Sequence, residues 1–227
     1  QVLVDHKGDL SLPPASLTKI MTSYVLAEEV DAGRASLDDM IKVSRNAWSQ
    51  NPTFKGSSLM WIEPGKPVSL ADLERGVVIS SGNDASVAVA EHLAATESSF
   101  VDVMNQLAAE LGLDNTVYRN PHGLPHPEHR TTARDLATLS VALINGHPEH
   151  YKIYEEQSFT YNGIKQYNRN SLLRSDATVD GLKTGYTSEA GYGLVASAQR
   201  EDMRLVSVVL GSASKPVSYT HLTLPTI

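Results

Sequence analysis

The last third of this 227-residue chain reads differently from the rest, and that asymmetry limits the folds open to it. The runs "GLKTGYT" (181–187), "GYGLVASAQ" (191–199) and "RLVSVVLG" (204–211) are short and rich in Val, Leu, Tyr and Ser. Turn-prone "SEA" and "REDM" separate them, so the pattern predicts an antiparallel meander. Earlier segments carry helical spacing instead. Leu17, Ile20, Met21, Tyr24 and Val25 recur at three-and-four intervals after Pro13-Pro14, with Gly33 as a stop. Ser69 and Asp72 open a second helix over "SLADLERGVVI". After a break at "SSGND", a third helix is expected from near Ala85, then two more over 98–112 and 131–145, the last capped through Thr131 or Thr132. "NPTFKGSSLMWIEPG" (51–65) reads as loop and short strand. Helices first and strands later predict an α+β fold, with helices packed on an antiparallel sheet.

Composition narrows the function classes. Hydrophobic content of 41% with 20% charged residues is that of a folded globular chain. A formal charge of −7 lacks the basic excess that a nucleic-acid binder uses. No apolar run approaches the roughly 20 residues of a membrane span, and no signal peptide opens the chain. "QVLVDHKGDL" reads as the middle of a domain, so a trimmed leader is expected. With no cysteine, neither disulfides nor thiol chemistry is available.

Three short motifs carry chemistry. In Ser16-Leu17-Thr18-Lys19, positions i and i+3 share a helix face, so Oγ and Nζ can meet. An ordinary lysine is neutral in only about 1 in 2,500 molecules at pH 7. Burial and a neighbouring cation lower its pKa, which turns it into a base able to activate serine. Ser81-Gly82-Asn83 falls at the break between two helices, where it could supply a hydroxyl relay and an amide clamp. Read alone, it is equally a helix stop followed by a cap. Lys183-Thr184-Gly185 falls on a predicted strand, where a cation and a hydroxyl can hold a carboxylate and glycine admits a close backbone. Singly each motif is weak. In this order, each on the element its chemistry needs, they are the signature set of active-serine β-lactamases and penicillin-binding proteins.

From Val2 to Gly211 the chain resembles the serine-type D-alanyl-D-alanine carboxypeptidases, the low-molecular-mass penicillin-binding proteins of the S11 peptidase type. The resemblance is carried by "PPASLTKIMTSYV", "NPTFKGSSLMWIEPG", "ISSGNDASVAVAEH", "NPHGLPHPEHRTTARDLA", "FTYNGIKQYNRNSLL" and "VDGLKTGYTSEAGYGLVASA". It implies a β-lactamase/transpeptidase-like fold, an antiparallel sheet flanked by helices plus a helical subdomain. The implied substrate is a peptidoglycan pentapeptide ending in D-Ala-D-Ala, with β-lactam antibiotics as covalent inhibitors and no cofactor or metal. On this likeness Ser16 is the nucleophile, Lys19 its base and Ser81 a proton relay. Asn83 holds substrate and orients Lys19, while Lys183 and Thr184 bind the terminal carboxylate beside Gly185. The N–H groups of Ser16 and Tyr186 form the oxyanion hole, and Arg169 lies near the pocket. The implied location is the periplasmic face of a bacterial cell envelope, with the family's membrane anchor absent from this chain.

Two departures stand out. Tyr186 occupies a position that is histidine in many relatives. "KPVSYTHLTLPTI" matches nothing in the family, so residues 1–213 are expected to form the catalytic domain, incomplete at both ends, and 214–227 a non-native tail. Without a closing helix, one face of "RLVSVVL" is expected to lack its cover. His122, His126 and His129, with His147 and His150, lack the helical register of a zinc site. Trp48, Phe54 and Trp61 could line a ligand groove, but interior packing is the commoner fate of such rings and is expected here, with Glu28, Glu29, Asp38 and Asp39 as a solvated face. No Glu-x-x-Leu-Asn-like segment between Asn83 and Lys183 supplies the deacylating acid of a class A β-lactamase, which favours carboxypeptidase. A β-lactamase, a transpeptidase and a penicillin-binding module without turnover are the alternatives.

Overall fold

Helix α1 (Lys19–Asp31) is wrapped on all sides: every residue from Lys19 to Ala27 is buried. A helix apolar around its whole circumference belongs at the centre of a domain. The computed structural model, which describes residues 1–214, places helices α2 (Leu70–Val78), α3 (Asn83–Ala94), α4 (Glu97–Glu110) and α5 (Ala133–Gly146) around it. A 3₁₀ turn, Ala15–Thr18, leads into α1, and Gly33 at φ +68° follows its end, where its N–H reaches the Val30 carbonyl. Ser69, Thr96 and Thr132 cap α2, α4 and α5 by accepting from the N–H groups of Asp72, Ser99 and Asp135, each at 3.1 Å.

The meander forms as expected. Strands β5 (Val179–Thr187), β6 (Gly191–Arg200) and β7 (Met203–Ser212) make one antiparallel sheet in sequence order. Val206, Val208 and Leu210 pack toward the main core, where α5 lies against β7. The opposite face is not bare, because Leu194 and Ala196 form a second apolar cluster with Leu172 and Val209. Two further hairpins are short: β1 (Met40–Lys42) with β2 (Pro67–Ser69), and β3 (Ser158–Tyr161) with β4 (Ile164–Tyr167). Asn162 and Gly163, both at positive φ, make the β3–β4 turn, and Asn-Gly between two strands is a strong hairpin signal. Short helices α6 (Pro148–Tyr151) and α7 (Leu172–Ser175) complete the path. Among the described residues no helix is long and apolar enough to cross a membrane. The expected tail lies outside the described residues except for Ser214.

Three expectations need correction. No strand forms within 51–65: the N–H groups of Met60, Trp61 and Ile62 turn to the Asp84 carboxylate instead of a neighbouring strand. Of the three rings expected inside, Phe54 is buried and Trp48 half-buried, whereas Trp61 is 53% exposed. The acidic face is largely paired: Glu29 meets Arg34 at 2.8 Å, Asp39 meets His92 at 3.1 Å, and Glu28 meets His147 at 3.2 Å. Only Asp38 of the four stands exposed.

Candidate active site

The prolines at 13 and 14 and the 3₁₀ turn present Ser16 just before α1, with Ala15 in the left-handed region at φ +49°. One turn later Lys19 opens α1 and is only 1% exposed. Its Nζ donates to Ser16 Oγ at 3.1 Å, to Asn83 Oδ1 at 2.7 Å and to the His122 carbonyl at 2.6 Å. Burial drives the Lys19 pKa well below the usual lysine range, and the nearby Lys183 and Arg169 charges add to that, while Asp84 opposes it. The result is an amine that gives up its proton more readily than an ordinary lysine, set beside a hydroxyl.

The third acceptor comes from a segment whose contribution sequence reasoning missed. Asn120 Oδ1 accepts from the N–H groups of His122 and Gly123 at 3.3 and 2.6 Å, which curls "NPHGLP" onto the nucleophile turn. Thr22 Oγ1 fastens it by donating to the Pro121 carbonyl at 2.6 Å. Gly123 sits at φ +86°, and a Cβ there would lie 1.8 Å from the Ala15 carbonyl oxygen. No side chain fits at that contact. A main-chain carbonyl has no residue signature, so the one clue was the glycine between two prolines. His129 braces the same turn: its Nε2 meets Thr18 Oγ1 at 2.9 Å while its Nδ1 accepts from the Arg119 N–H at 3.4 Å. That pattern suits a neutral ring, and burial pushes its pKa down to about 3.

Ser81 is 2% exposed and sits at φ +60° between α2 and α3. Gly82 caps α3 and Asn83 is its first residue, so the start of that helix aims the Asn83 amide at Lys19. Arg169, in the loop after β4, donates from Nε to the Ser80 carbonyl at 3.1 Å, which ties it to this turn. Lys183 lies within β5, 2% exposed, and donates to the Thr184 carbonyl at 3.2 Å. Burial and the Arg169 charge push its pKa down to about 7. A Cβ on Gly185 would lie 3.0 Å from the Pro14 carbonyl and 3.2 Å from the Leu17 N–H nitrogen, so glycine lets β5 press against the nucleophile turn. Thr184 is half-buried, and Tyr186 is 55% exposed with its ring 4.4 Å from that of Tyr192. A 420 Å³ cavity lined by Leu12, Tyr186, Glu189, Tyr192 and Ser212 opens beyond the end of β5, past Lys183-Thr184-Gly185.

The fold therefore brings the three motifs to one place. Direct hydrogen bonds join Ser16, Lys19 and Asn83, backbone packing adds Gly185, and electrostatic reach joins Lys183 and Arg169 to Lys19. Chemically this is a hydroxyl beside a buried amine of lowered pKa, with two further basic groups, Lys183 and Arg169, close enough to act on it.

Comparison with known proteins agrees. The D-alanyl-D-alanine carboxypeptidase DacC of Escherichia coli K12 is 50% identical over 97% of this chain. The chain spans only 56% of that relative's length. The crystal structure of penicillin binding protein 6B from Escherichia coli superposes with a TM-score of 0.93 at 46% identity, covering 97% of this chain and 70% of that one. A Listeria monocytogenes penicillin-binding protein in its cefotaxime-bound form gives a TM-score of 0.86 at 30% identity, covering 97% and 88%. The family model for Peptidase S11, D-alanyl-D-alanine carboxypeptidase, matches residues 1–214, and the chain belongs to that family.

Proposed function

We propose that this chain is the acylating domain of a serine-type D-Ala-D-Ala carboxypeptidase, which removes the terminal D-alanine from peptidoglycan stem peptides and is trapped by β-lactams. The observation that carries the reading is the buried Lys19, 3.1 Å from Ser16 Oγ and free of any ion pair among the described residues. Neutral Lys19 takes the Ser16 proton as Oγ attacks the carbonyl of the penultimate residue. The oxyanion is received by the N–H groups of Ser16 and Tyr186, each such donor being worth about 2.7–4 kcal/mol. Ser81 passes a proton to the leaving amine, so D-alanine departs as the acyl ester forms, and water then cleaves the ester and restores Ser16. Asn83 orients both Lys19 and the substrate amide. Lys183 and Thr184 receive the terminal carboxylate, with Arg169 held near Ser80, and that carboxylate gives the buried Lys183 a counter-charge.

A β-lactam presents a strained amide and a carboxylate to the same groups, and the Listeria monocytogenes relative has been crystallised in a cefotaxime-bound form. Peptidoglycan as substrate places the protein at the bacterial cell envelope, on the periplasmic face. Labelling by a fluorescent penicillin, lost in Ser16→Ala, tests the nucleophile, and folded wild-type protein that takes no label contradicts the reading. Release of D-alanine from diacetyl-Lys-D-Ala-D-Ala separates a carboxypeptidase from a module without turnover. Fast nitrocefin hydrolysis would instead make it a β-lactamase.

A further inference from the structure

Trp61 lies on the segment that packs against the Ser81-Gly82-Asn83 turn, and packing does not explain its exposure. Its neighbours Met60 and Ile62 are fully buried, yet its own indole is 53% exposed. Its φ is +73°, a left-handed conformation that an aromatic residue adopts only when its surroundings force it. The force is visible. The Asp84 carboxylate accepts from three consecutive N–H groups, those of Met60, Trp61 and Ile62, at 2.8, 2.8 and 3.2 Å. Gln166 Nε2 donates to the Met60 carbonyl at 3.1 Å, and the Asn83 N–H donates to the Ser58 carbonyl at 2.8 Å. A Cβ on Gly82 would come within 3.0 Å of the Met60 nitrogen, so the segment lies directly on the Ser81-Gly82-Asn83 turn. The segment is thus fastened to Asn83 and Asp84, the two residues that begin α3, of which Asn83 also bonds Lys19. Strain and exposure of a large apolar ring, rigidly fixed beside catalytic groups, are the marks of a surface kept for a ligand.

We propose that Trp61 is an aromatic platform for the acyl donor, stacking on the planar or apolar group attached on the N-terminal side of the bond that Ser16 attacks. It is a specificity residue: it distinguishes donors that carry such a group from donors that lack it. This rests on the acyl-transfer reading above. A pair of penicillins separates the two claims, since benzylpenicillin carries an aromatic acyl group and 6-aminopenicillanic acid is the same ring system without it. Trp61→Ala is expected to lower the acylation rate constant for benzylpenicillin about tenfold and to leave that for 6-aminopenicillanic acid within about twofold, while Trp61→Phe retains most of the preference. Equal losses for both compounds, or no loss for either, overturn the platform. Failure of the wild-type protein to acylate with either compound overturns the active-serine reading instead. A second measurement needs no loss of activity. With Trp48→Phe, Trp61 is the one remaining tryptophan. Its fluorescence should shift on acylation by benzylpenicillin and stay unchanged with 6-aminopenicillanic acid, and identical responses would contradict the contact.

Discussion

The two ends of α1 bury basic groups in opposite ways. At its start, Lys19 and Lys183 are each almost fully buried, and among the described residues neither makes an ion pair. At its far end, His147 meets Asp31 at 2.6 Å and Glu28 at 3.2 Å, and His150 meets Glu74 at 3.0 Å and Asp31 at 3.6 Å. Burial acts on both sets, but the outcome differs because only one set has partners. Lys19 falls well below the ordinary lysine range, while His150 is raised, first by its hydrogen bond to Glu74. The helix dipole pushes the same way, disfavouring a cation at the N-terminus and favouring one at the C-terminus. One end is built for reactivity at a cost in stability. The other is built for stability.

Variants can break this comparison from either side. Lys19→Met should lower penicillin acylation by at least about 10³-fold, since the serine loses its base. Its thermal midpoint should move less than that of Glu74→Ala. Glu74→Ala strips the partner from a buried pair and should cost about 3 kcal/mol, or about 6–12 °C by calorimetry for a domain of this size. Acylation by a penicillin should stay within about twofold. If Glu74→Ala instead abolished acylation at a temperature where it is folded, the two ends of α1 would not be separable.

Smaller effects sharpen the contrast. Lys183→Met should reduce kcat/KM for a peptide with a free terminal carboxylate by about tenfold to a hundredfold, the worth of a charged hydrogen bond. An amide-capped analogue should lose much less. For wild type, kcat/KM needs Lys19 neutral and Lys183 charged, so it should fall as pH rises through about 7 and Lys183 loses its proton, and Lys183→Arg should remove that limb. The smallest effect is in stability. A group raised in the folded state stabilises fully below its unfolded pKa, near 6.5 for histidine, and ceases to do so as pH rises through the folded value. The difference in thermal midpoint between wild type and Glu74→Ala should therefore narrow from pH 5.5 to pH 8.5. A gap constant across that range would contradict a charged His150.

What could be read in advance follows from how local each signal is. The helix caps at Ser69 and Thr132, the stop at Gly33 and the three-stranded meander depend on neighbours in sequence, and they form as the pattern predicts. Ser16 and Lys19 are likewise one helical turn apart. The Asn162-Gly163 hairpin was equally local and was overlooked. Other features depend on contacts that no short window contains. His147 and Asp31 are 116 residues apart, so solvated-looking acids turn out to be partners of buried rings. The His122 carbonyl bears on Lys19 across 103 residues, through a main-chain atom that any residue type would supply. The exposure of Trp61 is imposed by Asp84, 23 residues further on, against the usual burial of such rings.

Lys19 loses its proton more readily than an ordinary lysine because it is buried with no ion pair among the described residues. Protein labelled with [ε-¹³C]lysine reports it directly, with the Lys19 resonance assigned by its loss in Lys19→Met and followed from pH 5 to pH 11. That signal is expected to titrate well below those of the surface lysines. A Lys19 signal that titrates with them, near the ordinary value of about 10.4, would contradict it.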